Sequence, residues 1–434
     1  MLNTPAESLN KVIAEHNPAL LESFSSRGKA LYFPYAGILG QGAEAKDKKF
    51  NATIGLATED DGSPMRLGVL SSLTNLNPKE VFLYAPSFGI PELRKVWLEL
   101  MRKKNPGLGD KPVSLPVITQ ALTHGLSLAA SLFIEPGDDL IVPDPYWDNY
   151  DLLFRDNFQA NMVYFNCFTE KGCFNIDGLE RELLSRSDKK TVLLLNSPND
   201  PTGYTPSQSE MDSITAAIEK AAKKGGRIVV LIDDAYFGLV YEKGVARESI
   251  FSKLSDLHER VLAVKLDGGT KEDYIWGLRI GFITFGVRGG NEKLYKALAD
   301  KAGGAVRAMI SNCSMLSQNM LLKALTHPDY ETQKQEKFEL LKARYETIVS
   351  TLRAHPEYAE LFQPLPFNSG YFMCVRPAKG IDAEKVRKIL LEKYDTGVIN
   401  LQGLIRVAFS CLKKDFVPTV FANLAQACAE ARSS

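Results

Sequence analysis

Lys271 and Arg279 stand eight residues apart in the segment Asp267-Gly-Gly-Thr-Lys-Glu-Asp-Tyr-Ile-Trp-Gly-Leu-Arg-Ile-Gly-Phe282. Upstream come Asn196-Ser-Pro-Asn-Asp-Pro-Thr-Gly203 and Ile232-Asp-Asp-Ala-Tyr236. A lysine amine attacks an aldehyde to form a Schiff base, and a guanidinium grips a phosphate. An aspartate at the end of an apolar strand keeps a pyridine nitrogen protonated. In this order the residues fit pyridoxal 5'-phosphate held covalently.

Each residue also has a plainer use. Most lysines are solvated, but Lys271 follows an apolar strand and the glycines Gly268 and Gly269, which let the backbone pass close to a ligand. That places it at the carboxyl edge of a sheet, where open α/β folds bind ligands. Desolvation there lowers the amine pKa and frees the nucleophile. Arg279, expected at the start of a strand over 278–284, is either a solvated edge charge or a bidentate phosphate clamp. A helix expected from Thr123 to Phe133 offers N-terminal amides and the Thr123 hydroxyl to an anion. Every βαβ unit has such a turn, so this signal is weak alone. Asp233 is equally a turn residue or the partner of a ring nitrogen. Asp234 is expected to point the other way and to matter less, and Tyr236 shares its face only if the strand continues. Trp147, in Pro143-Asp-Pro-Tyr-Trp-Asp-Asn-Tyr150, belongs to an aromatic cluster of the kind that more often packs a core, although an indole can stack on a flat ring.

The elements that must position these residues are legible as apolar runs. Val117-Ile-Thr119, Asp139-Leu-Ile-Val-Pro143, Thr191-Val-Leu-Leu-Leu195, Ile228-Val-Val-Leu-Ile-Asp233 and Val261-Leu-Ala-Val-Lys265 are continuous rather than alternating, as in strands covered on both faces. Helical stretches such as Gln208 to Lys224 imply right-handed crossovers of a mostly parallel sheet. A helix pattern begins near Pro91, and a long charged one runs from Thr332 to Arg353. Short strands at Tyr371–Val375 and Leu404–Ala408 imply a smaller α+β unit. Leu9, Val12, Ile13, Leu20 and Leu21 mark an amphipathic N-terminal arm that lacks a core of its own.

Composition removes other classes. Lys+Arg 52 balances Asp+Glu 52, so no charge excess points to nucleic acid. No apolar run is long enough to span a bilayer, and no secretory leader is visible in Met1-Leu-Asn-Thr-Pro-Ala-Glu-Ser. The six cysteines are scattered and the five histidines do not pair at metal-ligand spacing. A reduced, cytoplasmic, metal-free protein is the expectation. Neither a phosphate-binding Gly-x-x-x-x-Gly-Lys loop nor a well-placed Gly-x-Gly-x-x-Gly is present, which argues against a nucleotide-binding protein.

The ordered set resembles the class I/II aminotransferases, the fold type I pyridoxal-phosphate enzymes, over nearly the whole chain. The resemblance implies an α/β fold with a mostly parallel seven-stranded sheet between helices in a large domain, residues 61–315. It also implies a smaller α+β domain, residues 316–434, joined by an arm at residues 1–60. It implies that Lys271 holds the cofactor and shuttles the proton, and that Asp233 pairs with the pyridine nitrogen. Tyr236 then bonds the phenolic oxygen and Trp147 stacks on the ring. Arg279, Thr123, Thr270 and the amides of Ala121 and Leu122 are implied on the phosphate. Tyr84 resembles the tyrosine that reaches the phosphate of a partner subunit in a homodimer with shared sites. Arg406 resembles the arginine that forks onto the substrate α-carboxylate, with Gly37 also on the substrate side. Arg307, in Val306-Arg-Ala-Met-Ile-Ser-Asn312, resembles an arginine that binds a distal carboxylate, and is equally a surface arginine.

Two positions depart from the family pattern. Asp200 stands before Pro-Thr-Gly where asparagine is usual. Either it is protonated, or the turn presents Asn199 instead, or the pocket is weakened. Gly268 stands where a hydroxyl residue is frequent. The function implied is transfer of an amino group from an L-amino acid to a 2-oxo acid, with acidic or aromatic substrates indicated. Rival readings are a pyridoxal-phosphate lyase or decarboxylase on the same scaffold, and a non-catalytic ligand-sensing module.

Overall fold

A computed structural model describes residues 3–71 and 76–433. Seven strands build the main sheet: β1 (Val117–Thr119), β2 (Asp139–Asp144), β3 (Asn161–Asn166), β4 (Lys190–Asn196), β5 (Arg227–Asp233), β6 (Val261–Asp267) and β7 (Gly281–Gly286). Their spatial order is β1-β7-β6-β5-β4-β2-β3. All run parallel except β7, which is antiparallel to both β1 and β6. The apolar runs are buried because helices cover both faces, including Ala121–Phe133 and Gln208–Lys223. Ser207 and Glu210 close a capping box on the second of these helices, which fixes where it begins.

A second sheet of four antiparallel strands contains β8 (Phe362–Pro364), β9 (Phe372–Pro377), β10 (Ile399–Leu401) and β11 (Leu404–Ala408), in the order β10-β11-β9-β8. In the N-terminal segment, Phe50–Asn51 pairs in parallel with Thr396–Gly397 as a separate two-stranded sheet. Helix Tyr330–Ala354 packs on helix Val417–Ser433. The turn after β4 docks into this second region. Gly203, at φ +71°, lies so close under the Phe372 carbonyl that an added Cβ would stand 1.9 Å from that oxygen.

Several expectations need correction. The expected strand over 278–284 begins only at Gly281, because Trp276–Leu278 forms a 3-10 turn and Arg279 bends into the left-handed region at φ +50°. The helix expected from Thr123 begins at Ala121. Strand β3 was absent from the sequence reading. It is an edge strand with mostly half-exposed or exposed positions, so it has no continuous apolar run. The N-terminal pattern folds as two helices, Thr4–His16 and Pro18–Ser23. Leu9, Val12 and Leu20 remain exposed on them.

Candidate active site

The carboxyl ends of β1, β2, β4, β5 and β6 all meet one edge of the main sheet, since only β7 runs against them. Five predicted segments therefore converge there. Lys271 lies four residues beyond β6, in the short helical turn Gly269–Glu272. It is half-buried, with Nζ 4.9 Å from the centroid of the Tyr236 ring. Burial lowers its pKa, Asp233 and Asp200 oppose that shift, and Arg279 adds to it. Its carbonyl accepts a bond from the Tyr371 hydroxyl at 2.9 Å, which fixes the turn.

Asp233 ends β5 and is 3% exposed. The Tyr150 hydroxyl donates to its Oδ2 at 2.6 Å, and the Ala235 amide donates to Oδ1 at 3.1 Å. Burial raises the Asp233 pKa, while Tyr150 and Lys271 hold it down. Tyr150 was not singled out from the sequence. It stands three residues past Trp147, in a bend entering the π-helical segment Asp151–Asn157, where side-chain facing cannot be read from period. Trp147 is half-buried and meets the Tyr150 ring edge-on, centroids 5.4 Å apart.

The Tyr236 hydroxyl donates to Asp200 Oδ2 and Arg406 donates to Oδ1, each at 3.1 Å. Asn199 Oδ1 accepts from the Thr202 amide at 3.1 Å and the Thr202 hydroxyl at 2.7 Å, while its Nδ2 donates to the Pro145 carbonyl at 3.4 Å. Asn196 holds this turn to β5 by accepting from the Asp200 amide and donating to the Asp233 carbonyl. Arg406, on β11, is 2% exposed, donates also to the Thr53 carbonyl, and keeps a buried Nε with no partner.

The anion-facing side is built from the β1 turn and the loop before β7. Ala121 holds φ +61°, a left-handed conformation that costs roughly 1–2 kcal/mol for a residue with a Cβ. Gly281 permits the close approach, since a Cβ there would stand 2.9 Å from the Ala121 carbonyl carbon. Ala121, Leu122 and Thr123 form the first turn of helix Ala121–Phe133, whose leading amides have no helical acceptor. Arg279 forms no ion pair among the described residues. Thr270 is buried, with its hydroxyl 3.4 Å from the Ile280 carbonyl. Gly37 precedes helix Ile38–Glu44 and lines a cleft of 1320 Å³ together with Tyr146 and Asp148.

Two predicted residues do not join the cluster within this chain. Tyr84 is 90% exposed. Arg307 is exposed on helix Glu292–Ile310 and donates to Ser311 Oγ at 2.7 Å. Asp234, next to Asp233, is buried in an ion pair with Lys265.

The donor set suits pyridoxal phosphate by its own chemistry. Arg279, which forms no ion pair among the described residues, lies two residues before Gly281, which packs against Ala121 at a helix N-terminus; a buried carboxylate ends the central strand, and an amine of lowered pKa faces a tyrosine ring. The fold is that of fold type I aminotransferases. The sequence profile described as Aminotransferase class I and II matches residues 64–420, and the chain belongs to that family. It is 25% identical to an aspartate aminotransferase of Bacillus sp. (strain YM-2) over 321 residues, 73% of this chain and 75% of that one. An aminotransferase from Anaerococcus prevotii superposes with a TM-score of 0.82 at 24% identity, covering 93% of this chain and 98% of that chain. An aspartate aminotransferase from Thermus thermophilus with maleate gives 0.73 at 19% identity, covering 93% and 99%. These structural likenesses carry the fold.

Proposed function

We propose that the chain is a pyridoxal-phosphate-dependent aminotransferase that moves an amino group from an L-amino acid to a 2-oxo acid. The observation that carries this is the Lys271 amine, which has no ion-pair partner among the described residues and lies beside Tyr236, Asp233 and Asp200. When bound, the cofactor supplies an aldehyde carbon and an electron-withdrawing ring. Lys271 would hold it covalently and, once released, carry the α-proton as general base. Asp233, whose ionised form is favoured by Tyr150 and the Ala235 amide against burial, would accept from the ring N–H. Trp147 would cover the ring face. Arg279, Thr123, Thr270 and the amides of Ala121 and Leu122 would hold the phosphate. Tyr236 would donate at the phenolic oxygen. The unpartnered Nε of Arg406 would bind the substrate α-carboxylate, with Gly37 beside it.

The working protein is a cytoplasmic homodimer in this reading. Tyr84 and Arg307 lie on the surface, and the arm helices carry uncovered leucines and a valine. Each of these features is accounted for if a second copy covers them and borrows the two side chains. Residues 61–315 form the cofactor-holding unit, and residues 316–434 with 1–60 form the smaller one. The test is reconstitution with pyridoxal phosphate followed by amino-acid donors. A shift of the cofactor absorption with release of one equivalent of 2-oxo acid, reversed by a second 2-oxo acid, is expected. Release of ammonia or carbon dioxide instead would move the protein to lyase or decarboxylase chemistry.

A further inference from the structure

Resting on the aminotransferase reading, we propose that the substrate pocket selects an amino acid with a cationic side chain, and that Asp148 receives the distal ammonium or guanidinium. Asp148 follows the ring-covering Trp147 and lines the cleft with Gly37 and Tyr146. Its Oδ2 approaches Gly37 so closely that a Cβ there would lie 3.5 Å away. No lysine, arginine or histidine forms an ion pair with it among the described residues. Burial and the charges of Asp200 and Asp151 disfavour its ionised form, against the favourable charge of Arg406.

The local charge balance is unusual for an acidic-substrate pocket. Asp148 and Asp200 face one guanidinium, and Asp200 already engages that guanidinium at 3.1 Å. The unpartnered Nε of Arg406, in a residue 2% exposed, is an independent sign of an anionic ligand group at this end, the α-carboxylate. A distal carboxylate placed at the Gly37–Asp148 wall would meet a carboxylate that has no ion-pair cation among the described residues. A distal cation instead neutralises Asp148 and relieves the cost of its burial. Arg376, Lys171 and Lys379 also line the cleft, with Asp144 near Arg376, so the preference belongs to the Gly37–Asp148 wall.

This narrows the expectation of acidic or aromatic substrates. A dicarboxylate needs a second cation, and the one nominated, Arg307, is on the surface of its own chain. The two ideas separate cleanly by experiment. Holoenzyme is titrated calorimetrically with 4-guanidinobutanoate, glutarate and pentanoate, none of which has an amine that can react with the cofactor. The expected result is about tenfold tighter binding of 4-guanidinobutanoate than of pentanoate, with glutarate weakest. Asp148→Asn and Asp148→Ser should each bring the guanidinobutanoate-to-pentanoate ratio close to one. Tighter glutarate binding by the unaltered protein would overturn the proposal. So would a ratio that neither substitution changes. A parallel screen of lysine, arginine, glutamate and alanine as donors keeps the two readings apart. If no donor alters the cofactor spectrum, the aminotransferase reading fails, whereas transfer without preference for the basic donors defeats only the role of Asp148.

Discussion

Lys265 and Lys271 lie six residues apart, one within β6 and one just beyond it, and the fold uses them in opposite ways. Lys265 is fully buried between Asp234 and Asp267, which is itself held by the Trp97 indole N–H at 3.0 Å. Burial pulls its pKa down, but the two carboxylates overcome that and raise it, so this ammonium stays charged. Lys271 is only half-buried, but it has no carboxylate within ion-pair distance to offset desolvation, so its pKa falls. Asp233 is near enough to matter, yet its oxygens are turned to Tyr150 and the Ala235 amide. Crowding alone therefore does not make a nucleophile. What decides is where the neighbouring carboxylates spend their hydrogen bonds.

The largest effect should come from removing the reactive member of the pair. Lys271→Ala should lower turnover by about 10³-fold or more, in the range of a lost general base together with a lost covalent attachment. Circular dichroism should be unchanged, and borohydride should no longer trap cofactor on the protein. Trapping at full occupancy in that variant would assign the role to another lysine. Lys265→Met should behave in the opposite manner. It leaves Asp234 and Asp267 buried without their cation and should destabilise the fold by about 3–5 kcal/mol, read by urea titration, while the folded fraction still binds cofactor covalently.

Tyr150→Phe tests how the Asp233 carboxylate is kept ionised. The hydroxyl bond lowers the Asp233 pKa against burial, so its loss raises that pKa. The acidic limb of the pH–rate profile should move to higher pH, with a loss on the order of 1.5–3 kcal/mol in transition-state stabilisation. An unmoved limb would show that Asp233 does not depend on Tyr150. Asp200→Asn should have the smallest effect. Removing a negative charge beside the Tyr236 hydroxyl should lower the pH midpoint of the bound cofactor's absorption by about one unit, roughly 1.4 kcal/mol. An unchanged midpoint would mean that Arg406 already neutralises Asp200.

Lys271 and Asp233 are singled out because each follows or ends an apolar run, whereas Tyr236 and Arg406 are nominated by the family resemblance. What supports them is not legible in the sequence. Glu272, next to Lys271, is bonded by Lys104 at 2.5 Å and Lys334 at 2.7 Å, and these partners lie 168 and 62 residues away in the chain. No local period announces such a contact. Burial works against this carboxylate, but the two lysines bring its pKa down to about 2. Arg279 was placed in a strand because Leu-Arg-Ile-Gly-Phe has the right composition, and the left-handed bend depends on packing that composition does not encode. Asp148 and Tyr150 were quoted in sequence beside Trp147, yet only the fold shows which of them faces Asp233 and which faces the cleft.

The close seat of Gly203 beneath the Phe372 carbonyl bears on how this protein can diversify. Asp200 belongs to that turn, and Arg406 comes from the strand paired with Phe372–Pro377, so the distance between the two charges is set by a contact that holds no charge at all. A methyl group at position 203 would act as a wedge between the two sheets and part them without altering either residue. Substitution of the bare backbone at position 203 should therefore shift the charge pair of the site even though it touches neither member.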